Sequence, residues 1–427
     1  MRIALTYWTI RKVGGTEGYL QSIIAELTNA GHQVSFFYEV DKPKRNEAIA
    51  LPEGVPAWCV AELGVKPALS ALRRWSPDVI YAHSLRSLKL EAETLKIAPA
   101  VFFAHAYYGT CISGHKTFRT PKPSTPCHRR LGWQCMVNYY PHRCGGLSPI
   151  TMVSEYRRQL KRLKQLQLYR AIVTHSTYMR DEYIKHDFDP ARVYCLSYYA
   201  HQRDKSSGAD KENKFFAIPS NSLHQLSSEA NGSNGKASGW RLLFLGRMDR
   251  LKGGDVLIDA LPLVRQSLNG PVSVTFAGDG RMRKTWQRQA ERAQLRTPGL
   301  SIEFAGWVNG SQRESLWNEC DLLVVPSVWP EPFGLVGTEA GLRGVPIAAF
   351  AVGGITDWLS DGVNGYLAPG DPPTSAGLAE AITRCLRDSA THASLRRGAL
   401  AMAHRFNMET HLANLMNVFE EVCGLAA

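Results

Sequence analysis

The sequence predicts an α/β protein of two domains, each a doubly wound parallel sheet, facing each other across a cleft. In both halves, short apolar segments alternate with amphipathic helical ones, as in strands joined by crossover helices. Between the halves, residues 203–239 are rich in Ser, Gly, Asn and charge, and this stretch is too polar to bury a core. The alternation restarts at Trp240. We therefore predict a first domain over 1–202, a flexible linker over 203–239 and a second domain over 240–405.

The first domain begins with a strand–helix–strand unit. The apolar segment RIALTYW, from Arg2, predicts a strand, and a loop with Gly14 and Gly15 follows it. The helix predicted next, over 16–32, repeats apolar residues at positions 20, 23, 24 and 27, and QVSFFYEV returns as a strand. Further strands are predicted to begin at Pro77, Ala98, Ala171 and Ala191.

The second domain repeats this pattern. RLLFLG predicts its first strand and 253–268 its first helix. Further apolar strands begin at Val272, Ser301, Asp321 and Val345. The last segment, 406–427, is an amphipathic helix with no strand after it, and we expect it to pack back toward the first domain. Open α/β sheets bind ligands at the carboxyl ends of their strands, so the cleft between the domains is the expected ligand site.

Composition and charge limit the classes of function. The chain has 427 residues, of which 44% are hydrophobic, as in ordinary globular proteins. No apolar run approaches the roughly 18 residues that a membrane-spanning helix needs, and the start lacks the features of a secretion signal. Nine cysteines in such a chain predict a reducing, cytoplasmic location. The 50 Lys and Arg residues against 38 Asp and Glu residues give a net charge of +12, which predicts an anionic partner such as nucleotide phosphates, anionic lipid or nucleic acid.

Cations crowd the loop between the first strand and the first helix of the second domain, at Arg247, Arg250 and Lys252. A helix N-terminus already carries partial positive charge, so each cation there is unfavourable by roughly 0.3–1 kcal/mol unless an anion offsets it. A diphosphate suits the site, with Arg247 as a bidentate fork and Lys252 as a point charge. The alternative is a solvated loop whose cations pair with Asp249 or Asp255.

A rigid loop bracketed by prolines precedes a short helix near 334–344. Glu331 lies in this loop and Glu339 about two turns into the helical segment. A loop carboxylate can grip sugar hydroxyls while the free amides of a helix start face phosphate oxygens. The amides here belong to Phe333, Gly334 and Leu335. Glu339 is placed to accept hydrogen bonds from ribose hydroxyls. The alternative is an ordinary helix with one N-terminal and one solvent-facing glutamate.

The first domain carries weaker signals. Gly14 and Gly15 precede a helix and allow the backbone to approach a ligand closely, although a tight turn is the simpler explanation. His105 ends a predicted strand at the edge of the cleft, where it is placed to bond a sugar hydroxyl or the transition state; the alternative is a satisfied structural residue. His83 also ends a strand and is expected to be structural.

Three features, taken in order along the chain, resemble the family-4 retaining glycosyltransferases, which are two-domain enzymes of GT-B fold. They are the glycine pair, R-x-D-x-x-K-G from Arg247, and E-x-F-G-x-x-x-x-E from Glu331. The resemblance covers most of the chain. It implies that Arg247 and Lys252 hold the diphosphate of a nucleotide-sugar donor, that Glu339 holds the ribose, and that Glu331 and the amides after it hold the transferred sugar.

The resemblance also implies roles for residues outside these two motifs. Gly15 backs the distal phosphate, His105 lies near the donor sugar, and the base is expected beside the loops of Gly280 and Trp307. Members of the family need no divalent metal at the diphosphate, and no Asp-x-Asp motif contradicts this here.

The function that follows is a retaining, metal-independent hexosyltransferase. It would move a sugar from a nucleotide-diphosphate sugar to a glycan or lipid-linked acceptor, in polysaccharide or glycoconjugate biosynthesis, without a cofactor. The alternatives are another GT-B enzyme (a phosphorylase or a nucleotide-sugar epimerase) or a non-enzymatic nucleotide- or nucleic-acid-binding protein. Because the positive charge gathers at a glycine-rich loop and one helix, we expect no nucleic-acid partner.

One departure from a plain family member is the cysteine-containing segment 105–146. Cys111, Cys127, Cys135 and Cys144 lie there without the closely spaced pair that is typical of structural zinc. Unpaired thiols in an acceptor-side loop are the preferred interpretation, and zinc or a disulfide is the alternative.

A second departure is the basic segment 154–170, which predicts an amphipathic helix with leucines at positions 160, 163, 166 and 168. Such a helix can lie on an anionic membrane, which would make the protein peripheral on the inner face of the cytoplasmic membrane. The alternative is a surface helix whose leucines face its own core.

Overall fold

The computed structural model describes residues 1–12, 14–40, 48–120, 124–199 and 239–424, so the predicted linker lies outside the described residues except for Gly239. The strands of the first domain are β1 (Arg2–Thr9), β2 (Gln33–Val40), β3 (Ala57–Cys59), β4 (Val79–Ala82), β5 (Ala100–Phe103), β6 (Thr117–Phe118), β7 (Thr125–Pro126), β8 (Ala171–Thr174) and β9 (Val193–Cys195). Seven of these described strands form one parallel sheet in the order β3-β2-β1-β4-β5-β8-β9. β6 and β7 pair antiparallel in a separate ribbon.

Helices cover the faces of this sheet. They are α1 (Gly15–Asn29), α2 (Val60–Leu63), α3 (Val65–Trp75), α4 (Leu88–Thr94), α5 (Gln134–Val137), α6 (Pro149–Leu166) and α7 (Thr177–Ile184). The predicted apolar face of α1 is confirmed, because Leu20, Ile23, Ile24 and Leu27 are fully buried. The strands of the sheet are apolar on both sides, as expected when helices cover both faces.

The second domain is a second parallel α/β unit. Its strands are β10 (Trp240–Leu245), β11 (Val272–Ala277), β12 (Leu300–Gly306), β13 (Leu322–Val325), β14 (Ile347–Phe350) and β15 (Gly365–Ala368). Its helices are α8 (Gly254–Ser267), α9 (Arg283–Arg296), α10 (Gly310–Glu319), α11 (Leu335–Gly341), α12 (Ile355–Trp358), α13 (Ser375–Leu386) and α14 (Ser389–Ala403). The described strands are ordered β12-β11-β10-β13-β14-β15, so β10 lies at the centre. The predicted fold class, two doubly wound α/β domains, is confirmed.

Besides the short β6–β7 ribbon, two strands of the main sheets, β3 and β15, were not predicted from the sequence. β3 has only three residues, of which one is buried, so it shows no apolar run. β15 reads GYLA and starts at a glycine, which argues against a strand by propensity. Gly365 is required because a Cβ there would overlap the backbone of Ile347 on the neighbouring strand. Both are outermost strands of their sheets, where pairing with a single neighbour fixes the backbone.

The last helix, α15 (Met408–Cys423), lies against the first domain. His411 Nε2 is 2.9 Å from the hydroxyl of Tyr19, and the ring of Phe419 packs on Tyr81 at 5.2 Å between centroids. His411 Nδ1 is 2.9 Å from the carbonyl oxygen of Ser197. The chain therefore returns to the first domain after completing the second.

Most leucines of helix α6 pack inside the protein. Leu166 is fully buried, and Leu160 and Leu163 pack against buried clusters, whereas Leu168 is exposed. Arg162, one of the cations of the predicted membrane face, is buried as well. Most of the leucines through which this helix was predicted to contact a membrane therefore pack inside the protein. In the described part of the chain, no helix has the length and apolar content needed to cross a bilayer.

Candidate active site

The basic loop after β10 turns sharply into α8. Residues 250–252 form a short 3-10 turn, capped by the side chain of Asp249, which accepts from the Leu251 amide at 3.1 Å. Gly253 follows with φ +65°, and a Cβ there would overlap the carbonyl oxygen of Pro326. Only glycine fits this position, so the turn that presents Lys252 is fixed by the backbone.

Lys252 and Glu331 form the centre of the candidate site. Lys252 Nζ lies 2.5 Å from Glu331 Oε1, and the Ser327 hydroxyl donates to the same oxygen at 2.5 Å. Glu331 is only 4% exposed, and the Lys252 side chain is 31% exposed. The alternative in which the loop cations pair with Asp249 does not hold for Lys252, since Asp249 pairs with Arg281 at 3.0 Å.

The loop that carries Glu331 is held by the segment that follows β14. The Gly354 amide donates to the Glu331 carbonyl at 2.7 Å, and a Cβ on Gly353 would overlap the Glu331 backbone. The Trp358 indole donates to the carbonyl of Phe333 at 2.7 Å, which fixes the chain just before Gly334 turns into α11 with φ +90°. The first amides of α11 are therefore positioned, and a helix start leaves such amides without intrahelical partners.

Glu339 occupies a different environment from the one expected. Its carboxylate forms a short ion pair with Arg313 of α10, and Arg343 donates to its carbonyl oxygen at 2.9 Å. The expectation of a carboxylate open to ribose hydroxyls is therefore only partly met, since one oxygen is engaged. Arg313 was missed by sequence reasoning because no local motif marks a residue that meets Glu339 only in the folded chain.

The glycine pair of the first domain faces the second domain at this point. A Cβ on Gly15 would lie 3.5 Å from Cδ1 of Leu335, the first residue of α11. The Gly14 amide donates to Glu17 at 2.7 Å, and the Tyr7 hydroxyl donates to Glu17 at 2.8 Å, so the loop is braced. The first domain therefore contacts α11 at Leu335, four residues along the chain from Glu331.

The remaining donor-side residues lie on adjacent loops of the second sheet. The Met248 amide donates to the Asp279 carbonyl at 2.8 Å, and a Cβ on Gly280 would overlap the carbonyl oxygen of Met248. Arg247 is exposed beside this contact and takes no part in the Lys252–Glu331 ion pair. Trp307 follows β12 and is 81% exposed, so it contributes no walled pocket in this structure.

His105 is held within a cluster of aromatic rings. Its Nε2 lies 2.8 Å from His83 Nδ1, and its Nδ1 lies 2.7 Å from the Tyr198 hydroxyl and 3.1 Å from His175 Nε2. Desolvation lowers the pKa of His105 to about 3, so the ring is neutral at physiological pH. Both nitrogens already have protein partners, and a bond from His105 to a sugar hydroxyl would require one of these contacts to open.

His83, which we expected to be structural, is the partner of His105 Nε2. It is buried, burial lowers its pKa, and its Nε2 has no hydrogen-bond partner among the described residues. A second histidine paired through one nitrogen leaves the other free to meet a ligand. Its position at a strand end, matching that of His105, was the available signal.

The cysteines of segment 105–146 are unpaired in the structure. All nine cysteines are free thiols, and within the described residues no group of three or more His, Cys, Asp or Glu side chains is arranged to hold a metal. Burial raises the pKa of Cys144 to about 12. Cys111, Cys127, Cys135 and Cys144 are free thiols here, and zinc or a disulfide at these four residues stays an alternative prediction.

Comparison with known proteins gives related matches for the two domains. Residues 13–197 match the family model "Glycosyltransferase Family 4", and residues 239–388 match "Glycosyl transferases group 1". The D-inositol 3-phosphate glycosyltransferase of Salinispora tropica is 33% identical over 189 residues, which are 43% of this chain and 38% of that protein. The phosphatidyl-myo-inositol mannosyltransferase of Mycobacterium leprae is 30% identical over 188 residues, 43% of this chain and 47% of that protein. The alignments span less than half the length of these relatives.

Solved structures share the whole two-domain arrangement. HepE of Anabaena in complex with UDP and glucose superposes with a TM-score of 0.63 at 21% identity, over 98% of this chain and 99% of that one. WaaG, a glycosyltransferase involved in lipopolysaccharide biosynthesis, gives a TM-score of 0.62 at 18% identity, over 98% and 99%. At such identities the likeness shows the fold alone. With the fold shared and both domains matched, this chain belongs to the family-4 glycosyltransferases of GT-B fold.

Proposed function

We propose that this protein transfers a hexose from a nucleotide-diphosphate sugar to a glycan or lipid-linked acceptor, with retention of the anomeric configuration and without a metal ion. The observation that carries the proposal is the partly buried Lys252–Glu331 ion pair, 2.5 Å between Nζ and Oε1, together with the contact of Gly15 with Leu335. In the free protein the two charges satisfy each other. A bound donor would give Lys252 a diphosphate oxygen and Glu331 a sugar hydroxyl, so both charges keep a partner.

The residues fit the charge changes of glycosyl transfer. When the bond between the anomeric carbon and the leaving phosphate oxygen breaks, its electrons pass to the diphosphate and positive charge develops on the sugar. In the proposed mechanism Lys252, Arg247 and the amides that begin α11 stabilise the growing negative charge, which is often the largest catalytic contribution. These cations supply the charge that a divalent metal supplies in other transferases.

Retention follows in the proposed mechanism from attack on the face that the diphosphate leaves. The acceptor oxygen bonds to the anomeric carbon, and its proton passes to the departing phosphate oxygen. No protein nucleophile is needed, and each atom and electron pair is accounted for. Determination of the product anomer by NMR tests this step: an α-linked product is expected from an α-linked donor, and a β-linked product contradicts retention.

Turnover assays separate this function from its alternatives. UDP-, GDP- and ADP-sugars are first screened by thermal shift, because selective stabilisation identifies the donor. Turnover is then measured for the wild type, Lys252→Ala and Glu331→Ala, with Arg292→Ala as a control at an exposed position of α9. We expect both site variants to lose turnover while remaining folded and the control to keep it. Unchanged turnover in both site variants would contradict the site.

The alternatives predict different products. An epimerase would interconvert nucleotide sugars without an acceptor, and a phosphorylase would require inorganic phosphate and yield a sugar phosphate. A binding protein would show donor stabilisation without any product. The acceptor proposed here is a glycan or a lipid-linked compound, and the names of the inositol phosphate and phosphatidylinositol enzymes among the relatives support a search that includes phosphorylated and lipid acceptors.

We also propose contact with an anionic membrane, through a surface other than the leucine face of α6. Apolar side chains that are largely exposed surround α5 and the start of α6: Trp133, Val137, Leu147 and Ile150. Between residues 129 and 164 the sequence has eight Lys and Arg residues and one acidic residue, Glu155. Exposed apolar groups among cations are the combination that binds the interface of an anionic bilayer.

Vesicle sedimentation tests this membrane contact. Binding to vesicles with anionic lipid is expected to exceed binding to neutral vesicles and to fall in the Trp133→Ala, Ile150→Ala double variant. Leu295→Ala, at an exposed apolar residue of the second domain, serves as the control. Equal binding to both vesicle types, or binding that the double variant leaves unchanged, would contradict the proposal.

A further inference from the structure

A cavity of about 400 Å³ opens in the first domain beside the interdomain cleft. Its lining includes Thr16, which follows the glycine pair, and His105 at the end of β5. The cavity therefore borders the place where Gly15 meets Leu335 and where the donor sugar is proposed to lie. Its volume falls within the range of roughly 300–1,000 Å³ that is typical of small-molecule sites.

The charged lining of this cavity is entirely cationic. Arg86, Arg158 and Arg162 line it, and no Asp or Glu side chain does. Arg162 is committed to the protein, because it donates to Ser84 Oγ at 2.8 Å and to the Leu85 carbonyl at 2.7 Å and pairs with buried Glu91. Arg86 and Arg158 are more available to bind an anionic ligand.

Arg86 is held in place by a cation–π contact, without a carboxylate partner in the part of the chain that the structure describes. Its guanidinium carbon lies 3.6 Å above the ring of Trp8, and its backbone amide donates to buried Glu39 at 3.1 Å. Among the described residues, no carboxylate forms an ion pair with Arg86. Within the described ranges, the ion pair of Arg158 is with Glu155, at 3.4 Å on the surface of α6. Exposed pairs of this kind contribute about 0–1 kcal/mol, so Arg158 is easily drawn to a stronger anion.

The floor of the cavity carries an unsatisfied polar group. His83 lines it and is 1% exposed, and its Nε2 has no hydrogen-bond partner among the described residues. Because His83 Nδ1 is bonded to His105, either tautomer leaves Nε2 able to bond a ligand hydroxyl, as acceptor or as donor. A buried polar atom without a partner is costly, and a hydroxylated ligand would remove that cost.

We propose that this cavity is the acceptor site and that it selects a phosphate ester of a hydroxylated ring compound. The phosphate lies against Arg86 and Arg158, one face of the ring lies on the side chains around Trp8 and Tyr108, and a hydroxyl bonds His83 Nε2. Acceptor binding here rests on the proposed function, whereas the phosphate preference of the cavity is measurable without any sugar transfer. Guanidinium groups suit this ligand because they bind phosphate oxygens in bidentate fashion.

Calorimetric titration of the full chain, saturated with whichever of UDP, GDP and ADP stabilises it most in thermal shift, tests the proposal. The probes are glucose 1-phosphate against glucose, and myo-inositol 1-phosphate against myo-inositol. We expect at least one phosphate ester to bind tenfold or more tightly than its neutral parent. Arg86→Ala should abolish that preference, Arg86→Lys should retain part of it, and Lys89→Ala, at an exposed position of α4, should leave it unchanged. Melting temperatures and affinity for the same nucleotide confirm that each variant is folded.

The outcomes distinguish this inference from the proposed function. Equal binding of ester and parent, no binding of either ester, or an unchanged preference in Arg86→Ala would overturn the cavity assignment, even if sugar transfer occurs. A phosphate preference lost in Arg86→Ala, together with no turnover of any nucleotide sugar, would support the cavity and contradict the proposed function. Vesicles containing phosphatidylinositol, compared with the soluble ester, show whether the phosphate belongs to a lipid headgroup or to a free compound.

Discussion

Removing the ammonium group of Lys252 should expose the energetic cost of the buried carboxylate of Glu331. Breaking a buried ion pair by removing one partner costs about 3–5 kcal/mol. Because the Lys252 side chain is 31% exposed and Ser327 still donates to Glu331, we expect a smaller loss, about 1–3 kcal/mol in the free energy of unfolding. Lys252→Met keeps most of the side-chain volume, so the loss reports the charge.

A double-mutant cycle isolates the pair. Glu331→Gln keeps an acceptor for the Ser327 hydroxyl and removes the charge, so the double variant should be less destabilised than the two single losses added together. Urea denaturation of the four proteins should give a coupling of about 1–3 kcal/mol. The control cycle is Arg384 with Asp361, an ion pair of 3.4 Å with both side chains about half exposed, for which we expect about 0–1 kcal/mol. A coupling no larger than that of the control would refute the view that the ion pair holds the site together.

Three further predictions concern the frame of the site. Gly253 has φ +65°, and a Cβ there would overlap the Pro326 carbonyl oxygen. We therefore expect Gly253→Ala to lower the free energy of unfolding, measured by urea denaturation, by more than about 2 kcal/mol. A loss under about 0.5 kcal/mol would show that the turn is not rigid. Burial lowers the pKa of His105 to about 3 and of His411 to about 4, from 6.5, so the unfolded chain binds more protons and stability should fall as pH drops from 6.5 toward 4. Denaturation at pH 7, 6 and 5 should show a shallower fall for His411→Gln, and an equal slope would contradict this. Titration of the unfolded, unreduced protein should find nine thiols, and EDTA should leave its melting temperature unchanged; fewer thiols would reveal a disulfide, and a drop in melting temperature a structural metal.

The sequence predicts the fold well where a local pattern is sufficient. The strands at the centre of each sheet are continuous apolar runs, and the apolar face of α1 repeats with helical spacing, so both follow from periodicity. Periodicity does not predict β15, because pairing with β14 specifies its backbone and its own residues do not. The leucines of α6 have the spacing of a membrane helix and of a packed helix alike, and only the neighbouring clusters decide between them.

The candidate site was predictable to the extent that motifs carry it. Lys252 and Glu331 are 79 residues apart. The resemblance to a recognised family implied that both bind the same donor, but their direct ion pair was not predicted. Arg313 and His83 belong to no motif, and their importance comes from partners that only the folded chain provides. Glu339 meets Arg313, and His83 uses one nitrogen on His105 and keeps the other open. Side chains whose roles depend on tertiary partners are the part that sequence patterns leave out.

Affinity for a nucleoside diphosphate is the most direct measurement of the central claim. UDP, GDP and ADP are titrated into the wild type, into the Arg247→Met, Lys252→Met double variant, and into the charge-matched control Arg292→Met, Arg296→Met on α9. We predict that the wild type and the control bind one of the three nucleotides with equal affinity, and that the site variant binds it about 100-fold more weakly, because two charge-assisted contacts are lost. Equal affinity in the site variant would contradict the account.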